Sequence, residues 1–353
     1  EADETAIITL TSGVGYGIGA PGAATGTITN DDTGMLTLSG GIMQDETNAG
    51  MVSYVFTVTL NADVQGGFQV PYTTNDGTAT TADNDYADND GIFTFTGTAG
   101  ETKTFTVQVN GDTKVELDET FTAALGALTG APAGITVAGS PQTATITNDE
   151  SATVSIAANV SQSESTTPQV FSVTLSNPVD VAVTVVFSTT DGTATTGDND
   201  YAGIAGQTVT FAAGTTTAQT VNVAITNDSK VEADEVYNTS IGTLAAGGRS
   251  VSLGTSTRTG TITNDDNATV TLTPAGGITQ NEGNSGTTPF MFTATLNNAV
   301  QGGFTLAYTT NDGTATVADN DYINNDGSLS FSGAAGQALP ITVLVNGHQG
   351  GSE

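Results

Sequence analysis

The residues best suited to chemistry in this sequence are carboxylates, and they come in groups. Glu46, Asp85, Asp112, Glu116, Glu119, Asp149 and Glu150 fall along a stretch whose basic residues are Lys103 and Lys114. Two carboxylates about 4 Å apart repel by roughly 4 kcal/mol at an effective dielectric near 20, so such a set gathered at one place needs a cation. A hard divalent ion with six to eight oxygen ligands at about 2.3 to 2.6 Å meets the need, and calcium tolerates irregular geometry better than magnesium. Carboxylate pairs also serve glycosidases. Here, however, there is no Trp, no Cys and a single His, and the acidic motifs recur in consecutive stretches, whereas a catalytic site is normally built once. No Ser-His-Asp, zinc or phosphate-loop constellation is present. The sequence reads as non-enzymatic, with His348 a loop residue.

The elements that must position these acids repeat. Asp76-Gly-Thr-Ala-Thr-Thr-Ala-Asp-Asn-Asp-Tyr86 returns from Asp191 to Tyr201 and again from Asp312 to Tyr322. Glu116-Leu-Asp-Glu119 returns as Glu232-Ala-Asp-Glu235 and opens the chain as Glu1-Ala-Asp-Glu4. Thr-Ile-Thr-Asn-Asp runs place Asn30, Asn148 and Asn264 at intervals of 118 and 116 residues. That period is too long for a solenoid repeat and suits a domain with its own core. Complete units are expected at 33–150 and 151–266, with the C-terminal half of a unit at 1–32 and the N-terminal part of one at 267–353. A chain opening inside a half-unit reads as a processed piece or a cut from a longer array. The two partial units are also complementary, two strands against five, so that one copy could pair with the next by strand addition, with the cut from a longer array the favoured reading of the two.

Each unit has the period-two alternation of half-buried strands. Val52, Tyr54, Phe56, Val58 and Leu60 alternate with Ser53, Val55, Thr57 and Thr59, and Phe105, Val107 and Val109 repeat the pattern. Further strands are expected near 35–38, 68–74, 92–95, 120–125 and 144–147, separated by turns such as Asn75-Asp76-Gly77. The second unit restates this with Phe171, Val173 and Leu175, with Val181, Val183 and Val185, and with Val221, Val223 and Ile225. Residues 4–10 and 23–28 form a hairpin that needs a sheet from elsewhere. The fold class is all-β: tandem immunoglobulin-like, seven-stranded Greek-key β-sandwiches. Tyr86, Tyr201 and Tyr322 read as core or corner aromatics. Asp88-Asn89-Asp90-Gly91 has the wrong glycine register for an EF-hand loop.

With 5 Lys plus Arg against 37 Asp plus Glu, the formal charge of −32 argues against nucleic acid and anionic lipid as partners. Without cysteine there is no disulfide framework. No apolar run reaches the length of a membrane span, and no leader is visible at Glu1. The junctions at Asn148-Asp149-Glu150-Ser151 and Asn264-Asp265-Asp266-Asn267 are short, which favours a semi-rigid rod.

The ordered set of Asp-Gly-Thr-Ala, Asp-Tyr, an apolar strand, Glu-x-Asp-Glu and a closing Thr-Ile-Thr-Asn-Asp resembles the Calx-beta domain. That family is known as the calcium-sensing module of sodium/calcium exchangers and as a tandem module of extracellular adhesion proteins. The resemblance implies a seven-stranded sandwich that binds calcium at one pole, beside its final strand. It implies Glu46, Asp85, Asp112, Glu116, Glu119, Asp149 and Glu150 as ligand candidates in the first complete unit, and Glu164, Asp200, Asp228, Glu232, Glu235, Asp265 and Asp266 in the second. In the partial units it points to Glu1, Glu4, Asp31 and Asp32, and to Glu282 and Asp321. Where calcium-binding members carry a longer aspartate run, this chain has Gly111-Asp112-Thr113 and Asn227-Asp228-Ser229, which implies fewer ions or weaker binding. Glu150, standing where Asp266 and Asp32 stand, is expected to reach differently.

Two functions follow as expectations. One is a calcium-stiffened stalk or filament segment of an adhesin on a bacterial surface, whose partners are neighbouring repeats, copies of itself and a surface ligand that the sequence does not name. The other is a calcium-sensing regulatory module of a larger protein. Tandem near-identical units and a Thr-, Gly- and Asp-rich, cysteine-free composition favour the first.

Overall fold

The structure, a computed structural model, describes residues 1–349, and every regular element among them is a β-strand. Residues 350–353, the end of the expected 267–353 unit, lie outside the described residues. The chain opens with a hairpin, β1 (Glu4–Thr9) and β2 (Ala23–Ile28), exposed along its whole length.

The first complete unit contains β3 (Gly34–Ser39), β4 (Met43–Asp45), β5 (Gly50–Leu60), β6 (Phe68–Asp76), β7 (Tyr86–Ala87), β8 (Gly91–Phe95), β9 (Thr102–Gly111), β10 (Glu119–Leu125), β11 (Ile135–Ala138) and β12 (Gln142–Thr147). Its sheets run β11-β3-β5-β9-β7 and β4-β12-β10-β6-β8. The seven expected strands are β3, β5, β6, β8, β9, β10 and β12. The short β4, β7 and β11 are additions at the sheet edges, and β4 pairs parallel to β12, so the chain crosses to the second sheet directly after β3. Alternation sets the packing. Tyr54, Phe56, Val58 and Leu60 are fully buried along β5, while Val55 among them is 43% exposed. Burying side chains of this size is worth about 1.5 to 3 kcal/mol each, which is what holds two sheets of short strands together.

The second unit repeats the plan with β13 (Ala152–Ile156), β14 (Val160–Ser163), β15 (Gln169–Leu175), β16 (Val183–Thr190), β17 (Ala205–Phe211), β18 (Gln219–Val223), β19 (Glu235–Ala245), β20 (Val251–Leu253) and β21 (Thr257–Thr263). Its sheets are β18-β15-β13-β20 and β14-β21-β19-β16-β17. Val181 precedes β16, and Ile225 lies beyond β18, bridged singly to Tyr201. The last unit supplies β22 (Val270–Thr273), β23 (Thr287–Leu296), β24 (Phe304–Tyr308), β25 (Gly327–Phe331) and β26 (Ala338–Asn346), in sheets β22-β23-β26 and β24-β25.

Successive units meet at a valine of the acidic loop. Val115, in the acidic loop of the first unit, forms a parallel bridge to Val179 of the second and is fully buried within the second unit's core. Its N–H donates to the Pro178 carbonyl at 2.8 Å, and the Asp180 N–H donates to its carbonyl at 3.2 Å. Val231 makes the same bridge to Val300 of the last unit. No described helix is long and apolar enough to cross a membrane.

Candidate metal centres

The Asp-Gly-Thr-Ala motif is a positioning device. Asp76 Oδ1 accepts hydrogen bonds from the Tyr86 hydroxyl at 2.7 Å and the Thr81 N–H at 3.1 Å, and Asp191 and Asp312 hold Tyr201 and Tyr322 in the same way. Asn84, Asn199 and Asn320 take positive φ of 69°, 67° and 62°, the left-handed turn that Asn tolerates better than most residues. The aspartate that follows is thereby turned inward. Asp85 Oδ2 accepts the Thr80 N–H at 2.7 Å, Asp200 Oδ2 the Thr195 N–H at 2.7 Å, and Asp321 Oδ2 the Thr316 N–H at 2.8 Å. Tyr86 and Tyr201, expected as core aromatics, are buried and stack on Phe121 and Tyr237 with ring centroids 4.6 and 4.3 Å apart. Asp88 to Gly91 forms a turn that grips Thr74, whose N–H donates to Asp90 Oδ1 at 2.9 Å.

The acidic loop is fastened at both ends. Asp112 Oδ1 accepts the Lys114 N–H at 2.6 Å, and Lys114 Nζ pairs with Glu116 at 2.6 Å. The Glu116 N–H donates to Asn148 Oδ1 at 2.8 Å, Asn148 Nδ2 donates to the Glu150 carbonyl at 2.9 Å, and the Asn148 N–H donates to Asp118 Oδ1 at 3.2 Å. Asp228, Lys230, Glu232, Asn264, Asp266 and Asp234 repeat the set. These asparagines latch the loop to the end of the last strand. Sequence reasoning took them as unit boundaries and missed the latch, although its signal was present: an Asn in every closing Thr-Ile-Thr-Asn-Asp and an Asp inside every Glu-x-Asp-Glu.

The fold thereby gathers part of the expected ligand set. Asp85, Glu116 and Glu119 each bring a carboxylate oxygen within 4.8 Å of the others, as do Asp200, Glu232 and Glu235. A second group, Glu164, Asp265 and Asp266, does the same beside β14 and β21. Its counterpart in the first unit, Glu46, Asp149 and Glu150, does not close to that distance. Glu150 has one more methylene than Asp266, and its carboxyl is buried with neither oxygen in a hydrogen bond. Asp112 and Asp228 cap their turns outside the triads, yet their charges reach Glu46 and Glu164. Glu1, Glu4, Asp31 and Asp32 sit exposed at one end of the hairpin. Glu282 and Asp321 stand on the last unit, with Glu282 Oε2 3.6 Å from His348 Nδ1.

Like charges crowded out of water disfavour ionisation. Burial pushes Glu46 up to about 8, with the charges of Glu150, Asp112, Glu116 and Asp149 adding to it. Burial and the charge of Asp85 raise Glu119 to about 8, burial and the contact with Asp149 raise Glu150 to about 7, and burial raises Glu164 to about 7. Both Glu150 oxygens, Glu164 Oε1 and Asp266 Oδ2 are buried with no hydrogen-bond partner. A buried carboxylate oxygen without a partner is costly, and such oxygens stand at both poles, those of Glu150 in the first unit and of Glu164 and Asp266 in the second, where a cation would satisfy them. The donors are oxygens throughout, and two oxygens on opposite sides of a calcium ion at about 2.4 Å stand about 4.8 Å apart. The residues present fit calcium.

A model of the Calx-beta domain matches residues 29–152, 147–267 and 279–349. Among solved structures, the crystal structure of CBD12 from CALX1.2 is 19% identical over 65% of this chain and 99% of that one, with a TM-score of 0.31. The calcium binding domain CBD12 of CALX1.1 is 20% identical over 64% and 98%, with a TM-score of 0.29. The apo-form Calx CBD1 domain is 24% identical over 34% and 100%, with a TM-score of 0.28. No curated protein matches the chain.

Proposed function

The chain belongs to the Calx-beta domain family, as a tandem array, and from that premise we propose that it is a calcium-binding, non-enzymatic stalk segment whose ions stiffen the joints between units. The observation that carries this reading is the position of Val115, buried in the next unit's core between Lys114 and the cluster residue Glu116. A cation held by Asp85, Glu116 and Glu119 fixes the loop immediately after that plug, so ordering the pole also fixes the neighbour. The same relation holds for Val231 beside Glu232. A repeated, acidic, cysteine-free rod of this kind suits an adhesin outside the cell, on a bacterial surface.

Calcium titration of the whole chain tests the reading by calorimetry, thermal melting and small-angle scattering. A ligand that binds the ordered state stabilises it by roughly 2.7 kcal/mol at a hundred times its dissociation constant. Calcium is expected to raise the melting temperature and narrow the spread of inter-unit angles, and Glu116→Gln with Glu119→Gln should remove that response chiefly in the first unit. Unchanged melting and scattering on addition of calcium would show that the carboxylates are merely solvated. A large rearrangement within a unit would instead favour a sensor.

A further inference from the structure

We propose that Ser163 and Ser165 are positioning residues that preassemble a second cation position in the second unit, formed by Glu164, Asp265 and Asp266, so that it fills at a lower calcium concentration than its counterpart in the first unit. The proposal rests on the calcium reading above and adds to it a difference between the units. Of the two triads in the second unit, this is the one whose buried side chains lack donors. Glu164 is 4% exposed, and neither its Oε1 nor Asp266 Oδ2 has a hydrogen-bond partner.

Two adjacent strands build the position. β14 pairs parallel to β21 with Ser163 beside Thr263, and the Glu164 N–H donates to the Thr263 carbonyl at 3.1 Å. Glu164 is thereby set next to the Asp265-Asp266 pair that follows β21. The hydroxyls of Ser163 and Ser165 both donate to Asp265 Oδ2, each at 2.5 Å. The loop that carries Ser165 is tied in turn. The Thr166 N–H donates to the Ser163 carbonyl at 3.0 Å, Gln162 Nε2 to the Thr166 carbonyl at 2.5 Å, and the Ile225 N–H to Thr167 Oγ1 at 3.0 Å. Hydrogen bonds to an ionised oxygen are roughly twice as strong as neutral ones, so two of them fix an Asp265 side chain that is otherwise exposed.

The first unit has the same backbone pairing and different side chains. Asp45 stands beside Thr147 in the β4–β12 pair, and the Glu46 N–H donates to the Thr147 carbonyl at 3.2 Å. Asp45 and Thr47 therefore occupy the places of Ser163 and Ser165. Asp45 accepts the Thr147 hydroxyl at 2.5 Å and, ionised, has no proton to offer Asp149. Thr47, with φ at 72°, turns its hydroxyl to the Ala49 carbonyl at 3.1 Å. Neither residue donates to Asp149, and a like charge stands where the second unit has a donor. Glu46, Asp149 and Glu150 stay apart, so an ion must first draw them together. Its apparent affinity is reduced by the fraction of time the group spends assembled.

Calorimetric titration with calcium tests this in the whole chain carrying Glu116→Gln, Glu119→Gln, Glu232→Gln and Glu235→Gln, which leaves the two positions to be compared. One tight and one weaker binding event are expected, and Glu164→Gln should remove the tight one. Ser163→Ala with Ser165→Ala should weaken the tight event about tenfold, the scale on which outer hydrogen-bonding partners act at metal sites. Ser163→Thr with Ser165→Thr keeps both hydroxyls and should recover most of that loss. Urea denaturation in chelator identifies a merely structural role, which would lower stability without calcium and leave the affinity of the folded unit unchanged. The reverse exchange, Asp45→Ser and Thr47→Ser with Glu150→Asp, should give the first unit a tight event of its own. Affinity that ignores the loss of both serine hydroxyls would overturn the proposal. So would weaker binding after the reverse exchange, which would make Asp45 itself a ligand. An unmodified chain that shows neither calcium heat nor a change in melting would overturn the calcium reading, and this proposal with it.

Discussion

The two joints of this molecule are built from equivalent residues and differ in what receives them. At the first, Val115 is fully buried and continuous with a core that includes Phe171, Phe187 and Phe211. At the second, Val231 and Val300 are half-buried against a core whose fully enclosed members are Ala294, Leu296 and Phe331. Polar residues diverge as well. After Val179 comes Asp180, which Arg249 of its own unit holds through Nε at 2.8 Å and Nη2 at 2.5 Å, placing the guanidinium in the field of Glu116 and Glu119. After Val300 comes Gln301, whose Nε2 crosses the joint to donate to Glu235 Oε1 at 3.0 Å. One pole is thus faced by a neighbour's charge and the other is touched by a neighbour's amide. The contrast separates two features of a joint, the depth to which the valine plug is buried and the group, a guanidinium or an amide, that the neighbouring unit turns towards the carboxylates.

The largest expected difference between the poles is in their response to pH without metal. Glu46 and Glu119 have folded values of about 8 against 4.5 unfolded, so between those limits the folded first unit keeps protons that the unfolded chain has lost. Stability then falls as pH rises through that window and is greatest below it. In the second unit burial raises Glu164 only to about 7, and the Gln301 amide restrains the rise at Glu235. In chelator, the first unit should lose stability more steeply than the second from pH 5 to pH 8, read by urea denaturation at each pH. Calcium should flatten or reverse the slope, because its ligands must be deprotonated. Equal slopes in chelator would break the comparison.

Val115→Ala should be next in size. Removing two methyl-sized groups from a closed core costs about 2 kcal/mol, and here the loss falls on the second unit although the residue belongs to the first. Val231→Ala, half-exposed against a smaller core, should cost about 1 kcal/mol or less. Denaturation followed by a probe in each unit distinguishes them, and scattering should show the first joint loosening in step.

How much of this was legible in the sequence follows from the physics of each signal. Strand positions were, because alternation such as Tyr54, Phe56, Val58 and Leu60 is local and has a single structural meaning. Asp85 with Glu116 and Glu119, and Asp200 with Glu232 and Glu235, were legible as members of a cluster because the repeat aligned them. Their separation into triads was not, since it depends on the Thr80 N–H taking one oxygen of Asp85 and on Asp112 turning back to Lys114. The plug residues were not singled out: Val115 is one apolar residue in a polar loop, and its core lies in another domain. Gln301 was invisible for the same reason, sixty-six positions from the carboxylate it touches.

That glutamine supplies the smallest and most specific test. Its amide holds one oxygen of Glu235, so a cation at Asp200, Glu232 and Glu235 shares that carboxylate with a hydrogen-bond donor, whereas among the described residues no such donor from the next unit reaches Glu119. A hydrogen bond to a charged group contributes about 1.5 to 3 kcal/mol at most, and an exposed amide such as Gln301 less. Gln301→Leu should therefore tighten calcium at the second pole by about fivefold, near 1 kcal/mol, and leave the first pole unchanged. It should also lower the stability of the metal-free second unit slightly, since Glu235 is then buried without its donor. Calorimetric titration of the unmodified and Gln301→Leu chains, each carrying Glu116→Gln and Glu119→Gln to silence the first pole, reads the effect directly. If affinity instead falls, Gln301 is itself a carbonyl ligand supplied by the neighbouring unit.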